Sequence, residues 1–196
     1  MISGIEGGKI KNMIIENLRD KTPNDLLNYA GIDSVPVDLV KLFEKLQISV
    51  LPTDFANIEQ VAEMKDTIKK RGKILASVLL RNSGKANEEV GILFKKDDSI
   101  ERMRFTVAHE LGHCCLHTDA VAEGYAMFSC ENDICTDEEE FEERADIFAG
   151  ELLIPDKFLK EFYYRGDDIN YLARCFVVPV DVMKKRLTMW VQNTKN

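Results

Sequence analysis

The sequence predicts a mainly helical α+β domain with a small β-sheet packed on one central helix. Three observations carry this. Apolar residues recur at helical spacing through most of the 196 residues. Two β-rich runs, Ile74 to Leu80 and Val90 to Phe94, sit together with only Asn82-Ser83-Gly84-Lys85 and a few residues more between them, as a hairpin or adjacent strands would. The stretch from Arg104 to His117 follows directly, and Phe105, Val107, Ala108, Leu111 and Leu116 make it an apolar, buried helix.

That helix carries the chemistry. His109 and His113 are four residues apart, which places both imidazoles on one helical face about 6 Å apart along the axis, close enough to share a metal ion. Glu110 lies at the edge of that face, where its carboxylate can reach a water held at the metal without becoming a ligand, the role of a general base. His-Glu-x-x-His also arises by chance on solvated helix faces. Burying two imidazoles and a carboxylate without partners would be costly, however, and an ion satisfies them. This is the zincin arrangement.

A third ligand is expected from the second helix, which begins near Asp137 with a run of acids suited to the positive end of a helix dipole and ends before Pro155. Glu142 is the choice, with Glu143 and Glu140 as alternatives. Two histidines and one carboxylate leave the fourth position for water, the ligand count of a catalytic zinc. Asp146, one turn further on, is placed to accept the free N–H of His109 or His113 and fix its tautomer.

The remaining elements frame this centre. Ile10, Met13, Ile14 and Leu18 form a helical lead-in, and Thr22-Pro23 with Asp25 starts another helix. Pro36 precedes a helix with Leu39, Leu42, Phe43 and Leu46 on one face, which runs into a short strand from Ile48 to Leu51. Residues 53–70 are polar and stay open. If either predicted strand lies at a sheet edge, it can pair with an extended peptide. Residues from His117 to about Thr136 read as a loop bordering the cleft. At the C-terminus, Ile169, Leu172, Ala173 and Phe176, a break at Val178-Pro179, then Val182, Met183, Leu187 and Trp190 outline two short helices resembling a helix-turn-helix. Lys184, Lys185 and Arg186 could face phosphates there, but packing against the catalytic unit is the better expectation. The division expected is residues 1–166 for the metal-binding domain and 167–196 for the helical pair.

Composition bounds the rest. A net charge of -8 argues against a general nucleic-acid or anionic-membrane binder. No stretch approaches the roughly 18 apolar residues of a membrane span. The five cysteines, an odd number, and an N-terminus without the features of a signal peptide point to reduced thiols in the cytoplasm. Cys130 and Cys135 are expected to pack as small hydrophobes rather than to bind metal.

At this point the sequence resembles the ImmA/IrrE-type metallo-endopeptidases. The resemblance rests on Arg104-Phe105-Thr106, Ala108-His109-Glu110-Leu111-Gly112-His113 and Leu116-His117, then Glu142, Ala145, Asp146, Phe148-Ala149 and Leu152-Leu153-Ile154-Pro155. It extends more weakly to Pro36-Val37-Asp38-Leu39 and the tail. It implies zinc held by His109, His113 and Glu142, with Glu110 as catalytic acid and base. The implied substrate is a helix-turn-helix repressor, whose cleavage relieves repression. The chain departs from the family in its tail, with Val177 and Pro179 in place of the usual Gly and helix-capping Ser. His117, eight residues beyond His109, is too far along a straight helix to join the same ion and is left a supporting role. Tyr125, Tyr163, Tyr164 and His117 are candidates to stabilise an oxyanion. The rival reading is a DNA- or protein-binding regulator whose zinc site is structural and closed by a fourth protein ligand, such as a cysteine.

Overall fold

The computed structural model describes residues 13–54, 74–81, 89–122, 128–130 and 138–194. The elements are α1 (Met13–Leu18), α2 (Pro23–Ala30), α3 (Leu39–Leu46), β1 (Ile48–Thr53), β2 (Ile74–Arg81), β3 (Glu89–Lys95), α4 (Ile100–Leu116), α5 (Thr118–Ala122), β4 (Phe128–Cys130), α6 (Glu138–Leu153), α7 (Asp156–Tyr164), α8 (Ile169–Phe176) and α9 (Val180–Asn193). The fold is the expected mainly helical α+β domain. The polar stretch around Phe55 to Met64, as well as Tyr125 and Cys135, lies outside the described residues.

Local sequence explains four of the helix starts. Thr22 caps α2 through a reciprocal capping box with Asp25, and Pro23 occupies the first turn, where a missing N–H costs nothing. Asp38 caps α3 by accepting from Lys41 N at 3.0 Å, and Asp168 caps α8 through the amides of Asn170 and Tyr171. Ser99 opens α4 the same way, by accepting from Arg102 N.

The strands form one mixed sheet in the order β1-β3-β2-β4. β1 runs parallel to β3, with Ile48 opposite Val90, and β2 is antiparallel to both β3 and β4. The pairing of β2 with β3 is as expected, but the idea that one of them offers an edge is corrected, because both are interior. An edge is instead formed by β4, three residues within the stretch read as loop. A run that short, Phe128-Ser129-Cys130, shows no alternation from which periodicity can be judged.

α4 lies between the sheet and α6, so Thr106 through Cys115 are all buried. The approach of α4 to α6 is close because Gly112 has no side chain. A Cβ there would lie 3.2 Å from Phe148 Cβ and Cδ1 and 3.3 Å from Ala145 Cα. One contiguous apolar core runs from Ile15 and Leu42 through Ile92, Leu111 and Leu152 to Phe176, Met183 and Trp190. Arg104 binds the ends of the chain to the central helix: its Nε donates to Val177 O at 3.2 Å and its Nη2 to Val37 O at 2.8 Å.

α8 and α9 add Leu172, Phe176, Met183 and Trp190 to the core. Arg186 is buried and pairs with Asp156, while Lys185 Nζ donates to Asp146 Oδ2 at 3.2 Å. Between these helices Val177 takes φ 52° and ψ 60°. A β-branched residue in the left-handed region is strained by about 1–3 kcal/mol. Val177→Gly is therefore expected to gain about 1 kcal/mol, the relief exceeding the backbone entropy that glycine loses on folding. Thermal unfolding should show Tm higher by about 2–4 °C, and a lower Tm would count against strain at this turn.

Candidate metal centre

The α4–α6 contact brings together the residues expected from spacing. His109, His113 and Glu142 each offer a donor atom within 4.8 Å of the others, and among the described residues no cysteine joins them. His109 Nε2 lies 3.0 Å from Glu142 Oε2 and 3.0 Å from His113 Nε2, which is itself 3.2 Å from Glu142 Oε1. Glu140 and Glu143, the alternatives to Glu142, are exposed. Sequence spacing places a carboxylate every turn along α6, whereas the crossing of the helices selects which turn faces the histidines.

The outer contacts orient the rings. Asp146 Oδ1 is 3.0 Å from His109 Nδ1, so a carboxylate faces that nitrogen and favours a proton on it, while Nε2 faces Glu142. Of the two histidines open to it in the sequence, Asp146 thus takes His109. Lys185 holds its other oxygen, a link no sequence pattern signals because the two residues are 39 apart. Glu110 is fully buried beside His109.

Charge at this centre favours a cation. Burial alone pushes the His109 imidazole toward its neutral form, but Asp146 and Glu142 outweigh it and hold its pKa up at about 10. Burial likewise resists ionisation of Glu142, yet hydrogen bonds from His109 and His113 bring it down to about 2. Two ring nitrogens facing one another at 3.0 Å can share at most one proton, whereas a cation accepts both lone pairs and the carboxylate together. The donor set suits a divalent metal ion. Exposure rises from His113, whose side chain is 0% exposed, to Glu142 at 20%, so the centre opens on the glutamate side.

Of the oxyanion candidates, Tyr163 packs on Trp190 and Tyr164 rather than on the histidines, and Tyr164 is largely exposed. His117 is buried next to His113, its Nδ1 3.0 Å from His113 Nδ1 and its ring centroid 4.2 Å from that of Phe141. Cys114 and Cys115 are buried free thiols, and burial pushes the Cys115 thiol up to about 12, far from the reactive thiolate. No helix among the described residues is long and apolar enough to cross a membrane.

A helical α+β domain whose central helix presents two histidines one turn apart to a glutamate on the neighbouring helix belongs to the metallopeptidase class of architecture. Comparison with known proteins agrees and narrows the class. The model of the IrrE N-terminal-like domain, peptidase family M78, matches residues 81–188, and the chain belongs to this family. It is also similar to Metallopeptidase ImmA of Bacillus subtilis (strain 168), 30% identical over 94 residues, 47% of this chain and 53% of that protein. The match therefore spans about half the length of this relative.

Proposed function

We propose that this protein is a zinc endopeptidase of the cytoplasm that cuts a helix-turn-helix repressor at an exposed segment and so relieves repression. The observation that carries the reading is the convergence of His109 Nε2, His113 Nε2 and the Glu142 carboxylate beside a buried Glu110. His109, His113 and Glu142 would hold the zinc. When bound, zinc polarises a carbonyl and lowers the pKa of water at its open position from about 15.7 toward about 7. Glu110 takes the proton of the attacking water and passes it to the leaving amine. Asp146 keeps the proton of His109 on Nδ1 and so leaves Nε2 free to bind.

The substrate runs extended along β4, one of the two edge strands of the sheet. A folded repressor offers such a peptide only at a linker or a locally unfolded segment, so cleavage is singular and separates DNA-binding from oligomerisation parts. The acidic surface suits a basic partner and disfavours DNA. Residues 167–196 serve as a packed part of the same catalytic unit.

Three features support this over a regulator with a structural metal site: three donors rather than four among the described residues, greater exposure on the Glu142 side, and the pairing of Lys185 and Arg186 with Asp146 and Asp156. Incubation with a helix-turn-helix repressor from the same genome, followed by mass spectrometry, should show one cut that Glu110→Gln does not make. No cut under inducing conditions, together with tight specific DNA binding by the full-length protein, would favour the regulator.

A further inference from the structure

We infer that His117 is a positioning residue for the metal centre, accepting a hydrogen bond at its Nδ1 from the Nδ1–H of His113. The inference rests on the reading of His113 as a metal ligand through Nε2. The geometry starts from the donor atoms. His113 Nε2 points at His109 and Glu142, so an ion there requires the Nε2 lone pair and leaves the ring proton on Nδ1. That proton is buried, since His113 is 0% exposed, and a buried N–H without an acceptor costs about 1–3 kcal/mol. His117 Nδ1, at 3.0 Å, is the acceptor that the described residues provide.

His117 reaches it because residues four apart on a helix share one face, as His109 and His113 do. α4 ends at Leu116, and His117 is its C-cap at φ -123° and ψ 38°. Its amide still donates to His113 O at 2.9 Å, which keeps the two residues in register. The ring is held by Phe141 on one side, and Thr118 anchors the following turn by donating its hydroxyl to Cys114 O at 3.0 Å. The arrangement parallels Asp146 on His109, so each histidine of the centre has its own partner for the proton that must not point at the metal. An imidazole accepts from His113 as a carboxylate does from His109, without adding negative charge, and its own proton then lies on Nε2, which is buried with no partner among the described residues.

His117→Phe keeps the ring and its packing on Phe141 but removes the acceptor, while His117→Asn places an amide oxygen near the former Nδ1. Zinc affinity of the metal-free proteins, measured by competition with a chromophoric chelator, should fall about 10–100-fold in His117→Phe and recover most of that loss in His117→Asn. Thermal unfolding of both metal-free variants separates loss of fold from loss of affinity. In zinc-loaded wild type, long-range proton–nitrogen NMR correlations should show His113 protonated on Nδ1 and His117 unprotonated there, a reading that needs no variant. Unchanged affinity in His117→Phe, equal loss in both variants, or His113 without its Nδ1 proton overturns the inference and leaves the metal centre standing. Wild type that takes up no zinc, or takes it up as well after His113→Ala, is the different result that would sink the metal centre itself.

Discussion

Glu110→Gln is expected to keep the metal and the fold and to hydrolyse peptide about 10²–10⁴-fold more slowly, the range by which a positioned proton acceptor accelerates such a step. The substitution is nearly isosteric, which matters because the Glu110 side chain is fully buried and a change of volume would disturb α4 where it meets the sheet and α6. An amide presents one acceptor oxygen but cannot hold a proton, so the attacking water keeps its own and the leaving amine receives none. Because Glu110 is one residue from His109 and turned off the face that His109 and His113 share, metal content should remain at the wild-type level. The decisive measurement pairs peptide cleavage with metal analysis on the same preparation. Wild-type turnover in Glu110→Gln would remove the residue from the mechanism, and loss of metal would make it a ligand instead.

Glu142→Ala should strip the centre of its ion. Wild-type protein is expected to hold about one zinc per chain after dialysis, and His109→Ala, His113→Ala and Glu142→Ala each to hold almost none, since each leaves two donors where at least three are needed. Glu142 has a further role in the charge balance. It is the carboxylate that faces both Nε2 atoms, so without it two imidazoles converge on a cation with no negative charge among the three. Asp146→Ala is the informative contrast. On His109, Asp146 meets Nδ1 and not the Nε2 that faces Glu142, so its loss should weaken binding about 10–100-fold rather than abolish it. Full occupancy in Glu142→Ala would move the third ligand to another residue of α6. Equal losses in Glu142→Ala and Asp146→Ala would erase the distinction between holding the ion and orienting a ring.

Much of this centre was legible in the residues because short-range spacing carries it. The i, i+4 relation of His109 and His113 holds for any α-helix, and the flanking apolar residues demand that the helix be buried. Glu142 was readable as one acid on the apolar stripe of α6, and Asp146 as the acid one turn beyond it. The short strand β4 was not legible, since three residues have no period, and neither was the interior position of β2 and β3, because strand order is a choice among partners distant in sequence. Val177 signalled only a departure from a familiar pattern. That it sits at a positive φ appears only where α8 turns into α9.

What local chemistry decides, then, is the identity of the helices, their caps and the atoms able to bind a cation. Packing decides which of those atoms meet. The space at Gly112 brings α6 within reach of α4, and this approach selects Glu142 over Glu140 and Glu143. The seat of the His117 ring between His113 and Phe141 likewise depends on α6, which carries Phe141. Lys185 reaches Asp146 across 39 residues because Met183 and Trp190 seat α9 in the core. Each of these contacts joins groups whose separation along the chain is unrelated to their separation in space, and burial of one shared apolar core sets the latter.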